Sequence, residues 1–178
     1  MHKKIVLIII MICVLFACIG YYVVVFGNIL NNSSKLKMLT AKDQLQLQDF
    51  KIGGLYLQQP ISEVVKILGK PLKVETKTIN GAILQNYYFS GVIVGVYKSD
   101  QKVFQLRIEN KNLITFRGIK VGDKEEKVYY HYGKGDKMDN EIVYWMHVSD
   151  TPNVYYAIGF NIKNSKVERI NYDYAPEE

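Results

Sequence analysis

Beyond residue 18 the chain has no cysteine, for Cys13 and Cys18 both sit in one apolar run near its start. The remainder therefore has no disulfide framework, no thiolate metal site and no cysteine nucleophile. Within the run the two read as small apolar side chains. Histidine is nearly as scarce, at three. His2 precedes the run, His131 falls in a helical pattern and His147 in an alternating one, without HExxH or another ligand spacing. No Gly-x-Ser-x-Gly occurs. Gly133-Lys134-Gly135-Asp136-Lys137 lacks the phosphate-loop pattern and its leading strand. Asp136, Asp139, Asn140 and Glu141 gather hard oxygen ligands without EF-hand spacing. They read as a solvated turn, and whether they hold a cation stays open. Glu125-Glu126 opens a helical stretch, where the helix dipole accounts for it. The chain is therefore expected not to be an enzyme, with no catalytic, cofactor-binding or metal residues and no cofactor.

Charge is absent from Ile5 to Phe26. As a helix that run covers roughly 33 Å, the thickness of a bilayer's hydrocarbon core. His2, Lys3 and Lys4 precede it, while the next cations, Lys35 and Lys37, follow a neutral Asn/Ser stretch. The expectation is a signal anchor: an uncleaved transmembrane helix over 5–26, its N-terminus inside and the rest an extracytoplasmic domain of the cell envelope. Two alternatives stay open, simple cleavage of the segment and acylation at Cys18, because Leu15-Phe16-Ala17-Cys18 loosely matches a lipobox. The membrane is thus one expected partner. Net charge is +6, and removing Lys3 and Lys4 leaves a smaller excess spread thinly along the chain. No Lys/Arg run is interleaved with aromatics, which excludes nucleic acid as a partner.

The chain also matches itself at an offset of 64 residues. Gly54-Leu55 falls on Gly118-Ile119, Val64 on Val128, Gly69-Lys70 on Gly133-Lys134, Gly95 on Gly159, and Lys102-Val103 on Lys166-Val167. Each half opens with a short helical pattern. Ser62 and Asp123 are the expected N-caps, Glu126 has capping-box spacing, and Gly69 and Gly133 end the helices. Val64, Val65 and Leu68, and then Val128, Tyr129 and Tyr132, make the inward stripes. Alternating stretches follow: Leu72 to Thr78, the Asn80-Gly81 hairpin signal, Tyr87 to Phe89, Val92 to Tyr97 and Val103 to Ile108. The second half gives Ile142 to Val148, Val154 to Ile162 and Val167 to Tyr174. The expected fold is α+β: an N-terminal transmembrane helix, then two tandem repeats of a short helix packed on an antiparallel sheet. Its boundaries are 1–4 for a cytoplasmic N-terminus, 5–26 for the anchor, 27–49 for a linker, 50–114 for repeat 1 and 115–178 for repeat 2.

Ile61-Ser62-Glu63-Val64-Val65-Lys66-Ile67-Leu68-Gly69-Lys70-Pro71, and more loosely Val121 to Gly133, followed by antiparallel strands, resembles the BamE (SmpA/OmlA) family of outer-membrane assembly lipoproteins. It also resembles the β-lactamase inhibitor protein that shares their fold and carries two such units in tandem. The resemblance covers about residues 50–174 and implies an exported, non-catalytic binding or assembly module. No inhibitory residue maps onto this chain.

Twelve of the 14 Tyr lie after the apolar run, crowded into the second half together with the single Trp. Neighbours on a strand face opposite ways, so Tyr155 and Tyr156 cannot both be core. The candidate partner-binding aromatics are Tyr130, Tyr144, Trp145, Tyr155 and Tyr156. The expected function is a membrane-anchored extracytoplasmic module that binds a protein partner or assists envelope assembly. The alternative is a ligand- or cell-wall-binding sensor domain.

Overall fold

Short apolar stretches that alternate in and out, separated by tight turns, leave this sequence little choice but antiparallel pairing. The computed structural model describes residues 45–147 and 154–176. A 3-10 turn, Leu47–Phe50, leads into a two-stranded ribbon of β1 (Lys51–Ile52) and β2 (Leu55–Tyr56). Helix α1 (Ile61–Leu68) precedes β3 (Lys73–Ile79), β4 (Ala82–Phe89), β5 (Val92–Tyr97) and β6 (Val103–Ile108). Helix α2 (Glu125–Tyr132) precedes β7 (Asp136–Met138), β8 (Glu141–His147), β9 (Val154–Lys163) and β10 (Lys166–Pro176). β3 to β10 form one eight-stranded sheet in the order β3-β4-β5-β6-β10-β9-β8-β7, all pairs antiparallel.

This corrects the expected α+β arrangement. The strands of the two halves make one continuous sheet, joined where β6 pairs with β10 through Leu106↔Tyr172 and Ile108↔Ile170. The protein is mostly sheet, with two helices of eight residues each among the described residues. The expected transmembrane anchor, 5–26, lies outside the described residues. Among those described, no helix is long and apolar enough to cross a membrane. The single-pass anchoring, the membrane as a partner and the envelope localisation all rested on that helix and are set aside with it.

Both helices lie on one face of the sheet. Val64 of α1 and Val128 and Tyr132 of α2 are fully buried against Val94, Val96, Leu106, Ile158, Phe160, Ile170 and Tyr172. Each aliphatic side chain so buried contributes roughly 1.5–3 kcal/mol. The caps differ from expectation. The residues preceding the helices are Pro60 and Lys124, and neither helix has a side-chain N-cap. The physical reason is a loop from the partner hairpin: Ile61 N–H donates to the Gln101 carbonyl and Glu125 N–H to the Ser165 carbonyl, both at 3.0 Å. Those bonds supply the first amide of each helix with a main-chain acceptor from the neighbouring hairpin, in place of a capping side chain. Asp123 instead accepts from Lys120 N–H at 2.9 Å and from Lys127 Nζ at 2.8 Å. The C-terminal glycines behave as read. Gly69 and Gly133, at φ 82° and 79°, turn the chain where an L side chain would be strained.

Asp49, the last residue of the expected linker, is buried and forms a two-pronged ion pair with Arg117, Oδ1 to Nε at 2.7 Å and Oδ2 to Nη2 at 2.8 Å. The guanidinium also lies 4.9 Å from the Tyr132 ring centre. Phe50, beside Asp49, is 1% exposed and meets Tyr156 edge-on at 5.3 Å. The pair therefore fastens the start of the domain to the end of α2. Removing one member strands the other charge away from water, so Asp49→Ala is expected to cost about 3–5 kcal/mol of stability. The double variant Asp49→Leu/Arg117→Met should lose clearly less. Urea unfolding midpoints of the two check this.

Candidate interaction surface

Alternation sends every second strand residue to the face that carries no helix. Register then aligns these residues into rows. One row runs Asn86, Gly95, Gln105, Asp173, Ala157, Trp145 from β4 to β8. The next runs Tyr88, Ile93, Arg107, Asn171, Gly159, Val143. Trp145 is 46% exposed and stands opposite the small side chain of Ala157. Tyr155 pairs with His147, their rings edge-on at 5.1 Å. On the other half, Phe104 lies over Gly95, where an added Cβ would sit 3.0 Å from its ring, and stacks with Tyr97 at 4.6 Å.

Polar side chains in the middle of this face pair across strands, although Asn171 Oδ1 is buried without a hydrogen-bond partner among the described residues. Gln105 Nε2 donates to Asp173 Oδ1 at 2.6 Å, bridging the β6–β10 junction. Asn171, 8% exposed, donates from Nδ2 to Glu141 Oε1 at 2.5 Å. The Glu141 carboxylate rests directly over Gly159, in the space a Cβ there would need. Burial pushes the Asp173 carboxyl above the ordinary carboxylate range, and the nearby Glu141 charge adds to this. The Gln105 bond, Arg107 and Arg169 pull the other way without prevailing.

The five aromatics singled out from sequence separate. Trp145 and Tyr155 come together on the helix-free face. Tyr144, 6% exposed, is core, its hydroxyl donating to the Gly133 carbonyl at 2.9 Å. Tyr156 points to the helix side, between Phe50 and Tyr174. Tyr130, 62% exposed, lies on α2, so it is on the other side of the sheet from Trp145. Phe104, Tyr97 and Tyr88 join the face without having been anticipated. A glycine in mid-strand, Gly95, was the available signal, since it often marks the close approach of a large neighbour. Asp136 to Met138, read as a loop, form the edge strand β7, and Asp139 turns the hairpin at φ 50°. Among the described residues no group of three or more His, Cys, Asp or Glu is placed to hold a metal ion.

The folded state raises the Asp173 pKa, so folding takes up a proton there. That stability is complete below the unfolded-state pKa and is lost as pH rises through the folded one. Asp173→Asn is therefore expected to raise the thermal midpoint at pH 7, with the gain vanishing toward pH 3. Melting curves across that range check the sign.

No protein family matches this chain, and no curated protein does. Solved structures resemble it. The uncharacterized protein YfeY from Escherichia coli is 16% identical, with a TM-score of 0.46 over 70% of this chain and 97% of that one. An extracellular protein containing an SCP domain from Bacillus anthracis is 13% identical at 0.44, over 66% of this chain and 43% of that one. A candidate β-lactamase inhibitor protein from Streptococcus mutans is 15% identical at 0.30, over 80% of this chain and 96% of that one.

Proposed function

We propose that this chain is a non-catalytic protein–protein contact module that docks its partner on the helix-free face of the sheet. The observation that carries the reading is Trp145, a large aromatic held half-exposed on a strand and flanked by Tyr155 and the small Ala157. Trp and Tyr supply much contact area for little entropy and dominate binding hot spots. Around them the hydrogen-bonded Gln105–Asp173 and Asn171–Glu141 pairs form a pre-ordered polar surround.

We also infer that the two halves are copies of one unit with a BamE-like order of elements. Support comes from hydrogen bonds that recur at a constant offset. Gln58 N–H to Val103 O (2.7 Å) matches Gly122 N–H to Val167 O (2.8 Å). Gly69 N–H to Val65 O matches Gly133 N–H to Tyr129 O, both 2.9 Å. An alignment of relatives in which 50–114 and 115–178 share no more than chance similarity would sink this inference.

A second reading, ligand binding, draws on an open groove of about 740 Å³ lined by Lys111, Lys163, Lys166 and Arg169 beside Glu109 and Glu168. Its cations suit an anionic ligand. A thermal midpoint unmoved by polyphosphate would remove it.

The docking reading is tested with a photo-reactive side chain at position 145 in living cells, and with the same probe at 130 as a control. Position 145 should capture one defined protein. Trp145→Ala should weaken the purified complex roughly 30-fold or more, while Tyr130→Ala should leave it unchanged. Capture from position 130 alone would move the interface to α2 and overturn the assignment.

A further inference from the structure

The sheet ends on β3, a seven-residue strand with nothing paired to its outer side among the described residues. The opposite end is β7, only three residues long. A long open edge presents a row of unpaired main-chain groups, ready to receive another strand. Which groups face outward follows from the hairpin. Asn80 and Gly81, at φ 49° and 80°, make a two-residue turn closed by Ile79↔Ala82. The closing pair exchanges both its hydrogen bonds, so Ile79, Lys77, Glu75 and Lys73 turn their main chain toward β4. Val74, Thr76 and Thr78 turn theirs outward. The next strand agrees: the Ile83 carbonyl points away from β3, to Lys98 N–H at 2.9 Å.

Along this edge the side chains on the helix-free face run Lys73, Glu75, Lys77. We propose that β3 pairs antiparallel with β3 of a second copy, centred on Thr76 opposite Thr76, so that two sheets join into one across a two-fold axis. In that register every residue from Lys73 to Ile79 has a partner. The outward-facing residues meet as hydrogen-bonded pairs, Val74 opposite Thr78 and Thr76 opposite itself. Glu75 stands opposite Lys77 twice, once on each side of the axis. Sliding one strand by two residues, the smallest shift that keeps outward groups facing each other, destroys this complementarity. One direction opposes Glu75 with Glu75 and Lys73 with Lys77, and the other opposes Lys77 with Lys77. The fullest overlap is therefore also the register in which charges attract, and like charges directly opposed disfavour its neighbours. Charges on an edge ordinarily discourage pairing; here their alternation allows one self-partner. Apolar side chains beside the edge, Val74 at 44% exposed, Ile79 at 53% and Ile83 at 41%, would be drawn into the contact. Because this contact uses the edge of the sheet, it stands or falls apart from docking on its face.

The test uses the full-length chain. Sedimentation equilibrium should show a monomer–dimer equilibrium. Glu75→Lys or Lys77→Glu alone should each weaken it on the order of tenfold, while the double reversal should restore it, because two facing pairs change sign together. Glu75→Lys also removes a carboxylate bonded to Lys73 and Tyr88, both at 2.5 Å, so Lys77→Glu serves if that variant fails to fold. In a Cys13→Ser/Cys18→Ser background, Thr76→Cys should form an intermolecular disulfide, its Cα about 5.5 Å from its mate. Thr78→Cys, roughly 13 Å along the strand from its own mate, should not. A chain that sediments as a monomer at every concentration, a dimer indifferent to the single reversals, or equal cross-linking at 76 and 78 would overturn the proposal.

Discussion

The antiparallel pairing of β6 with β10 is the contact on which the rest of the architecture depends. Residues far apart in the chain, Leu106 and Tyr172 or Ile108 and Ile170, become cross-strand neighbours there. Four strands lie to one side of the junction and four to the other. Without it each half would carry a short sheet with a single eight-residue helix, a marginal core for a unit of that size. With it, Val64 and Val128 bury into one core. The same junction makes the helix-free face continuous, and Gln105 and Asp173 meet directly across it.

Away from the junction, the Asp49–Arg117 pair ties the start of the domain to α2. Neither member lies in the eight-stranded sheet, yet together they hold the turn that carries Phe50 against Tyr156 and the end of α2 against Tyr132. Arg suits this role because its planar fork meets both carboxylate oxygens while its face lies on an aromatic ring. A buried ion pair adds little net stability over an apolar substitute. Its value is directional, since few other arrangements would satisfy both charges.

Much of the local structure was legible in the sequence, because strand alternation is a local property. The stretches from Val92 to Tyr97 and from Val103 to Ile108 follow the observed strands. What sequence could not supply came from long-range partners. The helix starts were misassigned because Gln101 and Ser165, some forty residues downstream, satisfy their first amides. β7 escaped notice because its three residues are too few to alternate. The aromatic set divides between the two faces in a more instructive way. Parity correctly separates Tyr144 from Trp145 and Tyr155 from Tyr156. Deciding which member of each pair faces the core requires knowing where the helices lie. Phe104 obeys no parity, because the register shift at Gly95 and Val96 sends it to the same side as Gln105.

The two faces of the sheet thus carry different demands. The helix side is filled by Val, Ile, Leu and ring packing, where any change of volume is felt throughout. The other side has no helix to bury its polar groups against, so those groups pair across strands, Gln105 with Asp173 and Asn171 with Glu141. This side is nonetheless not ordinary solvent-exposed sheet, since Asn171 is buried there and Asp173 is only partly exposed, its carboxylate bonded to Gln105. A surface that is part-dry, already hydrogen-bonded and studded with rings has prepaid much of the ordering that association demands. Its groups can also be changed without opening the core. The core's stability is therefore set mainly on the helix side, and under the proposed docking function the other face is where specificity would vary.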